Sequence, residues 1–265
     1  MLTVSTVNVN GVRAAAGKGL LAWLAATDAD VVCLQETRAA REQLPAELRE
    51  PAGWHAVFAE SAVRGRNGVA VLTRAVPIEV RTGFGVPEFD SSGRYVEVVL
   101  PTVVVGSLYL PSGDVGTPRQ DEKERFMAGF LPYLVELREK AEADGREVLV
   151  CGDWNIAHTE ADLKAWQSNR NNSGFLPTER AWLSRVFDEA GYVDVVRSLH
   201  VGVPGPYSWW SYRGKAFDND AGWRIDYHMA TPGLAGSARN AVVDRATAWD
   251  TRFSDHAPLV IDYKL

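Results

Sequence analysis

The chain has 265 residues, 46% of them hydrophobic and 23% charged, which excludes a disordered or collagen-like polymer. No apolar run approaches the ~20 residues needed to span a bilayer, and Met1-Leu2-Thr3-Val4 enters a strand pattern without the basic, apolar and small order of a signal peptide, so a cytoplasmic protein is expected. Lys+Arg of 28 against Asp+Glu of 34 leaves a net charge of −6, which argues against bulk nucleic-acid binding but not against a local basic rim around an acidic centre.

In chain order, strands are expected at 2–9, 30–35, 55–59, 68–73, 78–82, 94–100 and 103–110, runs rich in Val, Ile, Tyr or Trp and bounded by Gly, Pro, Asn or Asp. Later strands are expected at 147–152, 207–211, 223–229, 241–247 and 258–263. Helices interleave: 18–27 puts Leu20, Leu21 and Leu24 on one face, and 121–143 repeats Phe126, Phe130, Leu134 and Leu137. A third, 178–190, begins after Pro177 and stops at Gly191. Parallel βα units (1–35) beside antiparallel hairpins (94–110) predict an α/β fold of mixed sheets covered by helices. No linker or repeat interrupts the pattern, so residues 1–265 are expected to form one domain. The polar stretch 164–174 reads as a functional loop. Cys33 and Cys151 lie inside apolar runs and read as buried, reduced thiols.

Five apolar runs end abruptly in groups that bind metal or move protons. They are Val7-Asn8-Val9-Asn10-Gly11, Leu34-Gln35-Glu36-Thr37, Gly152-Asp153-Trp154-Asn155, Arg224-Ile225-Asp226-Tyr227 and Ser254-Asp255-His256-Ala257-Pro258. One such ending is an ordinary turn. Five in one chain suggest a shared crevice, because strand ends of α/β folds deliver side chains to one edge. Glu36, Asp153 and Asp255, with amide oxygens of Asn8 and Asn155, are hard donors suited to Mg²⁺ or Mn²⁺. The histidines at 55, 158, 200, 228 and 256 show no zinc spacing. Asp255 is too close in sequence to orient its neighbour His256, so Asp226 is the expected partner of that ring. Neither a Gly-x-Ser-x-Gly elbow nor a Gly-x-x-x-x-Gly-Lys-Ser/Thr loop occurs. Oxygen-ligated metal with Asp, His and Asn suits phosphate-ester hydrolysis.

These segments, with Tyr109-Leu110-Pro111 and Gly222-Trp223-Arg224, occur in the order of the exonuclease III and abasic-site endonuclease family, which the chain resembles along its whole length. The resemblance implies a DNase I-like four-layered sandwich, two packed mixed sheets flanked by helices. It implies Mg²⁺-dependent cleavage of DNA 5′ to abasic sites, with 3′→5′ exonuclease and 3′-phosphatase activity, Mn²⁺ substituting. The implied substrate is double-stranded DNA with abasic sites or 3′ ends, acted on by a nucleoid-associated monomer. By the same resemblance Glu36 carries the metal, with Asn8 and Asp255 beside it and Asn155 and His256 at the same centre. Asp153 activates water, positioned by Asn155. Tyr109 and His256 contact the phosphate, and Asp226 orients His256. Asn169 and Asn172 hold DNA phosphates, while Trp209 and Trp223 wall a pocket for the flipped abasic sugar. Ser112 stands where the family usually has Asn, and Val7 where it often has an aromatic.

Two rival readings are weaker. A phosphoesterase of lipid or inositol head groups leaves the Gly222-Trp223-Arg224 segment and the amide loop unexplained. A non-catalytic DNA-binding module predicts a missing metal or proton-transfer residue, and none is missing. The expected basic rim is Arg13, Lys164, Arg170, Arg213, Lys215 and Arg224, alternating with Trp166, Trp209 and Trp210, of which Trp210 is expected in the core.

Overall fold

The computed structural model describes residues 1–265. Its strands are β1 (Leu2–Asn8), β2 (Val31–Gln35), β3 (His55–Ala59), β4 (Val69–Thr73), β5 (Glu79–Thr82), β6 (Tyr95–Val99), β7 (Val103–Tyr109) and β8 (Glu147–Asp153). They continue with β9 (Val193–Asp194), β10 (Asp226–Ala230), β11 (Ala238–Val243) and β12 (Leu259–Tyr263). One six-stranded sheet has the order β11-β12-β1-β2-β4-β3 and the other β5-β6-β7-β8-β10-β9.

The layers follow from side-chain alternation along the central strands. On β2, Val31 and Cys33 face the second sheet, while Val32 and Leu34 face a helical layer. On β8, Leu149 and Cys151 meet the first sheet, while Val148 and Val150 face the opposite helices. Strands buried on both faces read as unbroken apolar runs, which is why these were visible in the sequence. Cys33 and Cys151 are free, buried thiols. The outer layer on the first sheet is α1 (Val12–Ala15), a wide turn at Ala16–Leu20 and α2 (Leu21–Ala26). Two short helices follow, α3 (Ala46–Arg49) and α4 (Pro87–Asp90). The second sheet is covered mainly by α5 (Pro118–Ala143) and, beyond the turn α6 (Trp166–Asn169), by α7 (Pro177–Asp188). Two shorter helices, α8 (Val195–Leu199) and α9 (Pro232–Ser237), complete the set. No helix is long and apolar enough to cross a membrane.

Three expectations need correction. The first helical segment starts at Val12 rather than 18, because Gly17 and Gly19 read as breakers whereas the chain passes them in a wide turn. Residues 207–211 form no strand: Trp209 makes only isolated bridges, to Trp223 and His256. The strand expected at 223–229 begins at Asp226.

Candidate active site

Strand direction assembles the site. β1 and β2 are parallel, as are β7 and β8, so Asn8, Glu36, Tyr109 and Asp153 leave the sheets at one edge. β10 runs antiparallel to β8 with Asp226 opposite Asp153. β12 runs antiparallel to β1, which brings the Ser254-Asp255-His256 turn to the end of β1, where Ser254 Oγ donates to Asn8 O at 2.7 Å.

Unusual backbone fixes these ends. Asn10, Glu36, Arg38 and Asn155 have φ between 47° and 52°. Asparagine enters this region readily, but Glu and Arg do so at a cost that neighbours must cover. Gly11 N donates to Glu36 O at 2.8 Å and Arg38 N to Asn67 O at 2.8 Å, which lock that turn. At Gly152 (φ 141°) a Cβ would lie 2.0 Å from Leu108 O, so only glycine lets β7 and β8 close up and set Asp153 beside Tyr109.

The electrostatic centre is Asp226, His256 and Asp153. Asp226 is fully buried; its Oδ2 accepts from Ser208 Oγ at 2.6 Å and lies 2.8 Å from His256 Nδ1. A carboxylate there assigns the Nδ1 proton and turns Nε2 towards Asp153 Oδ2, 3.8 Å away. Burial opposes the charged ring, but Asp226, then Asp153 and Asp255, outweigh it and raise His256 to about 10. Burial pushes Asp153 up to about 7, opposed by His256 and reinforced by Asp226. At Asp255 burial also raises the carboxyl, yet His256 and bonds from Trp209 Nε1 (3.0 Å) and Asn10 Nδ2 (2.9 Å) hold it below the usual range. Burial and the charges of Glu36 and Asp153 drive the Tyr109 phenol well up, so it stays a donor.

Asn8 Nδ2 bridges Glu36 Oε1 (2.8 Å) and Asp153 Oδ2 (2.9 Å). Its Oδ1 accepts from Asn10 N at 2.9 Å, which fixes the amide's orientation. Asn8 therefore orders two carboxylates, and its oxygen, with one of two lone pairs used by Asn10 N, sits beside Glu36. Asn155 Nδ2 donates to Leu110 O (2.8 Å) and Asp153 Oδ2 (3.2 Å), leaving its Oδ1 without a protein donor. His256 keeps Nδ1 on Asp226 and turns Nε2 towards the cleft.

Glu36, Tyr109, Asp153, Asn155, Asp255 and His256 open on a cleft of about 670 Å³. Trp209 and Trp223 form one wall, their rings 6.1 Å apart and at 78°, with Asn172 beside them. Asn169 stands one step back, bonded to Ala165 O (2.8 Å) and to Asn172 Nδ2 (2.9 Å). Arg13 is exposed on α1 and does not line the cleft. Arg224 is a correction: it is 1% exposed, with Nε on Asp162 (2.7 Å) and Nη2 on Asp194 (2.7 Å), so it cannot reach DNA. A segment rich in Trp and Arg reads the same whether its arginine faces solvent or a buried aspartate, which is why the sequence misplaced it. Trp210 is buried as expected, and Gly222 packs on it, since a Cβ there would lie 2.6 Å from its Nε1.

Sequence reasoning missed Asn10, Arg38, Arg119 and Ser208. Asn10 lies in the segment after β1 and Ser208 in the expected strand 207–211, but their partners Asp255 and Asp226 are distant in sequence. Arg38 pairs with Glu36, and Arg119 lines the cleft from the first turn of α5.

No three acidic, imidazole or thiol side chains stand close enough to hold a cation by themselves. The donor chemistry still fits a hard cation. Mg²⁺ keeps several waters and is held by one or two carboxylates together with substrate phosphate. Glu36 has this character: its side chain is 12% exposed and its outer oxygen pairs with the exposed Arg38.

The pattern of the Endonuclease/Exonuclease/phosphatase family matches residues 5–256. The chain is 38% identical to an exodeoxyribonuclease of Bacillus subtilis over 253 residues, 95% of each chain. It is 35% identical to a DNA repair nuclease of Danio rerio over 263 residues, 98% of this chain and 81% of that one. Among solved structures, an AP endonuclease from Archaeoglobus fulgidus superposes with a TM-score of 0.90 at 28% identity, covering both chains completely. A 3′ phosphatase from Neisseria bound to product DNA hairpin gives 0.89 at 26%, again over both whole chains.

Proposed function

Since the chain belongs to the endonuclease/exonuclease/phosphatase family, we propose that it is a DNA-repair phosphodiesterase. It cleaves the backbone 5′ to abasic sites and removes nucleotides or phosphate from 3′ ends, with residues 1–265 as one catalytic domain. The observation that carries this reading is the buried Asp226–His256 pair aimed at Asp153 on the floor of a cleft walled by two tryptophans.

The charged His256 binds a phosphate oxygen through Nε2 and balances the charge that builds on the phosphorus. Asp153, raised to about 7, takes the proton of an attacking water, and Asn155 fixes the carboxylate that does so. Tyr109 keeps its proton and donates to the phosphate or to the departing oxygen. Asp255, held ionised by Asn10 and Trp209, stabilises the charged ring and the metal side of the cleft. Glu36 holds a divalent cation, Mg²⁺ with Mn²⁺ as substitute. When bound, the cation supplies Lewis-acid neutralisation of phosphoryl charge. Trp209 and Trp223 offer a shallow apolar wall against which an abasic sugar packs. Asn172, backed by Asn169, holds the phosphate next to that wall.

The test is a duplex carrying a single abasic analogue beside nicked and blunt duplexes, each with Mg²⁺ or EDTA. Cleavage 5′ to the analogue that EDTA abolishes is expected. Equal cleavage of intact and abasic duplexes, or none of either, would remove the assignment.

A further inference from the structure

Lys123 on α5 and Glu179 on α7 are both fully buried and pair at 2.8 Å. Taking two charges out of water is costly unless their remaining protons and lone pairs are used. Here they are used on the walls of the cleft. Lys123 Nζ donates to Asn155 O at 2.9 Å and to Ser112 O at 3.3 Å. Glu179 accepts from Gly174 N at 2.7 Å and from Leu176 N at 3.1 Å. Ser173 Oγ lies 2.7 Å from Ser112 O and 3.1 Å from Glu179 Oε1, closing the circuit. Three segments therefore end on one ion pair: the loop after β7, the loop after β8 and the loop before α7.

These segments have little slack. A Cβ on Gly174 would lie 3.1 Å from the Trp223 ring and 3.2 Å from Asn155 O. One on Gly113 would lie 3.0 Å from Lys123 Cδ. Asn155 itself sits at φ 50°, and its amide holds Asp153 Oδ2 and Leu110 O. Part of this is ordinary helix capping, since Leu176 is the N-cap of α7, and Gln120 of α5 donates to Glu179 at 3.2 Å. The bonds to Asn155 O, Ser112 O and Gly174 N reach beyond both helices to the backbone that carries the site.

We propose that Lys123 and Glu179 are positioning residues of the active site. Lys123 fixes the Asn155 backbone and with it the amide that aims Asp153, and Glu179 fixes the Ser173-Gly174 wall against Trp223. Neither touches substrate. The inference rests on the phosphodiesterase reading above, because the geometry it protects is that of Asp153 and its water.

The test compares Lys123→Met, Glu179→Gln and the double variant with the wild type for kcat, KM and Tm on the abasic duplex. Each single change strands a buried group and should lower Tm. The double change removes both charges, so Tm should recover towards wild type, as paired replacement of buried ions commonly allows. The carbonyl tether stays lost, so kcat of the double variant should remain about 10- to 100-fold down with KM within about 3-fold, the scale of a small misplacement of reacting groups. Recovery of kcat together with Tm would overturn the proposal, as would a fall in kcat/KM carried by KM alone. Should the double variant not fold, Ser173→Ala keeps both charges and removes the hydroxyl that links Ser112 O to Glu179 Oε1. It should lower kcat by about 3-fold at constant KM, with no more than the small Tm loss of one hydrogen bond, and an unchanged kcat would overturn the proposal. Wild-type cleavage in the same experiment separates the two levels. No cleavage by wild type removes both readings, whereas full kcat in a wild-type-like double variant removes only the positioning role.

Discussion

Replacing Asp226 with Asn isolates the electrostatics of His256 while keeping the shape of the pair. In the wild type the ring titrates at about 10, because Asp226, Asp153 and Asp255 overcome the burial that opposes its charge. The amide removes the first and largest of the supporting charges and leaves the burial. The ring should then titrate well below about 10, with Asp153 and Asp255 still supporting its charge. At about pH 8.5, a group titrating near 10 is about 97% charged and one titrating near 6.5 is about 1% charged. The variant should therefore lose up to about 100-fold in kcat/KM at that pH beyond any loss it shows at about pH 6, a gap that widens until the wild-type ring itself titrates near 10. The assay is a kcat/KM profile on the abasic duplex at saturating Mg²⁺, in buffers of constant ionic strength. Stability gives an independent reading. A raised folded-state pKa contributes stability that is fully present below about 6.5 and lost as pH rises through about 10. The wild type should show this decline in Tm between those values, and Asp226→Asn should not. Parallel pH–rate profiles for the two proteins would refute the reasoning, since His256 would then act without its charge.

Asp153→Asn should lower kcat by about 10²–10⁴-fold with abasic-DNA affinity kept, the usual cost of losing a general base. Binding by fluorescence anisotropy beside single-turnover rates separates the two, and collapsed affinity with high residual turnover would make Asp153 a binding residue. Glu36→Gln should move the Mg²⁺ concentration for half-maximal rate upwards by at least the about 10- to 100-fold that outer-sphere partners alone control; an unchanged titration would take Glu36 out of the metal site. Arg224→Met strands Asp194 and half of the Asp162 network, a buried loss of about 3 kcal/mol that Arg197 on Asp162 keeps from being larger. For a domain of this size that is about 6–12 °C in Tm. DNA affinity measured below the transition should not change, and a salt-dependent loss of affinity at constant Tm would return Arg224 to the DNA surface.

Much of the fold was readable because its central strands are buried on both faces. β2 and β8 are apolar runs whose ends coincide with the first chemical side chain, so strand boundary and site residue announced each other. The Asp226–His256 pairing was readable for a different reason. Asp255 precedes His256 directly and could not orient it, which left a short list of distant carboxylates, and the antiparallel register of β10 on β8 brings Asp226 to that place. What sequence patterns could not carry was the direction of amide and guanidinium groups. Asn8 reads only as an oxygen donor, yet Asn10 N takes one lone pair of its oxygen and turns its amide nitrogen to the carboxylates. Arg224 reads as a surface cation, yet Asp162 and Asp194 wait for it behind the cleft. The first turns on a backbone amide two residues on, and the second on aspartates 30 and 62 residues away.

The same limit explains where positive charge stands around the site. Composition allows a basic rim but does not place it, and the loops on the tryptophan side were the expected location. The arginines that line the cleft and the cavity of about 360 Å³ next to it lie on the opposite flank: Arg38, Arg66, Arg94 and Arg119. Arg38 faces Glu36 and Arg94 is tied to Glu122 at 3.0 Å, whereas Arg66 and Arg119 are exposed and have no side-chain ion pair. A chain of net charge −6 can thus hold a polyanion locally, because a phosphate senses charges within about a Debye length, roughly 10 Å in 0.1 M salt, and not the sum over the molecule. On the proposed reading, the arginine flank would attract backbone phosphates while the tryptophan flank would test for a missing base. The acidic floor between them repels the scissile phosphate unless His256 is charged and Glu36 carries its cation. Attraction, selection and chemistry are therefore assigned to three different sides of one cleft, and the last depends on both cations being in place.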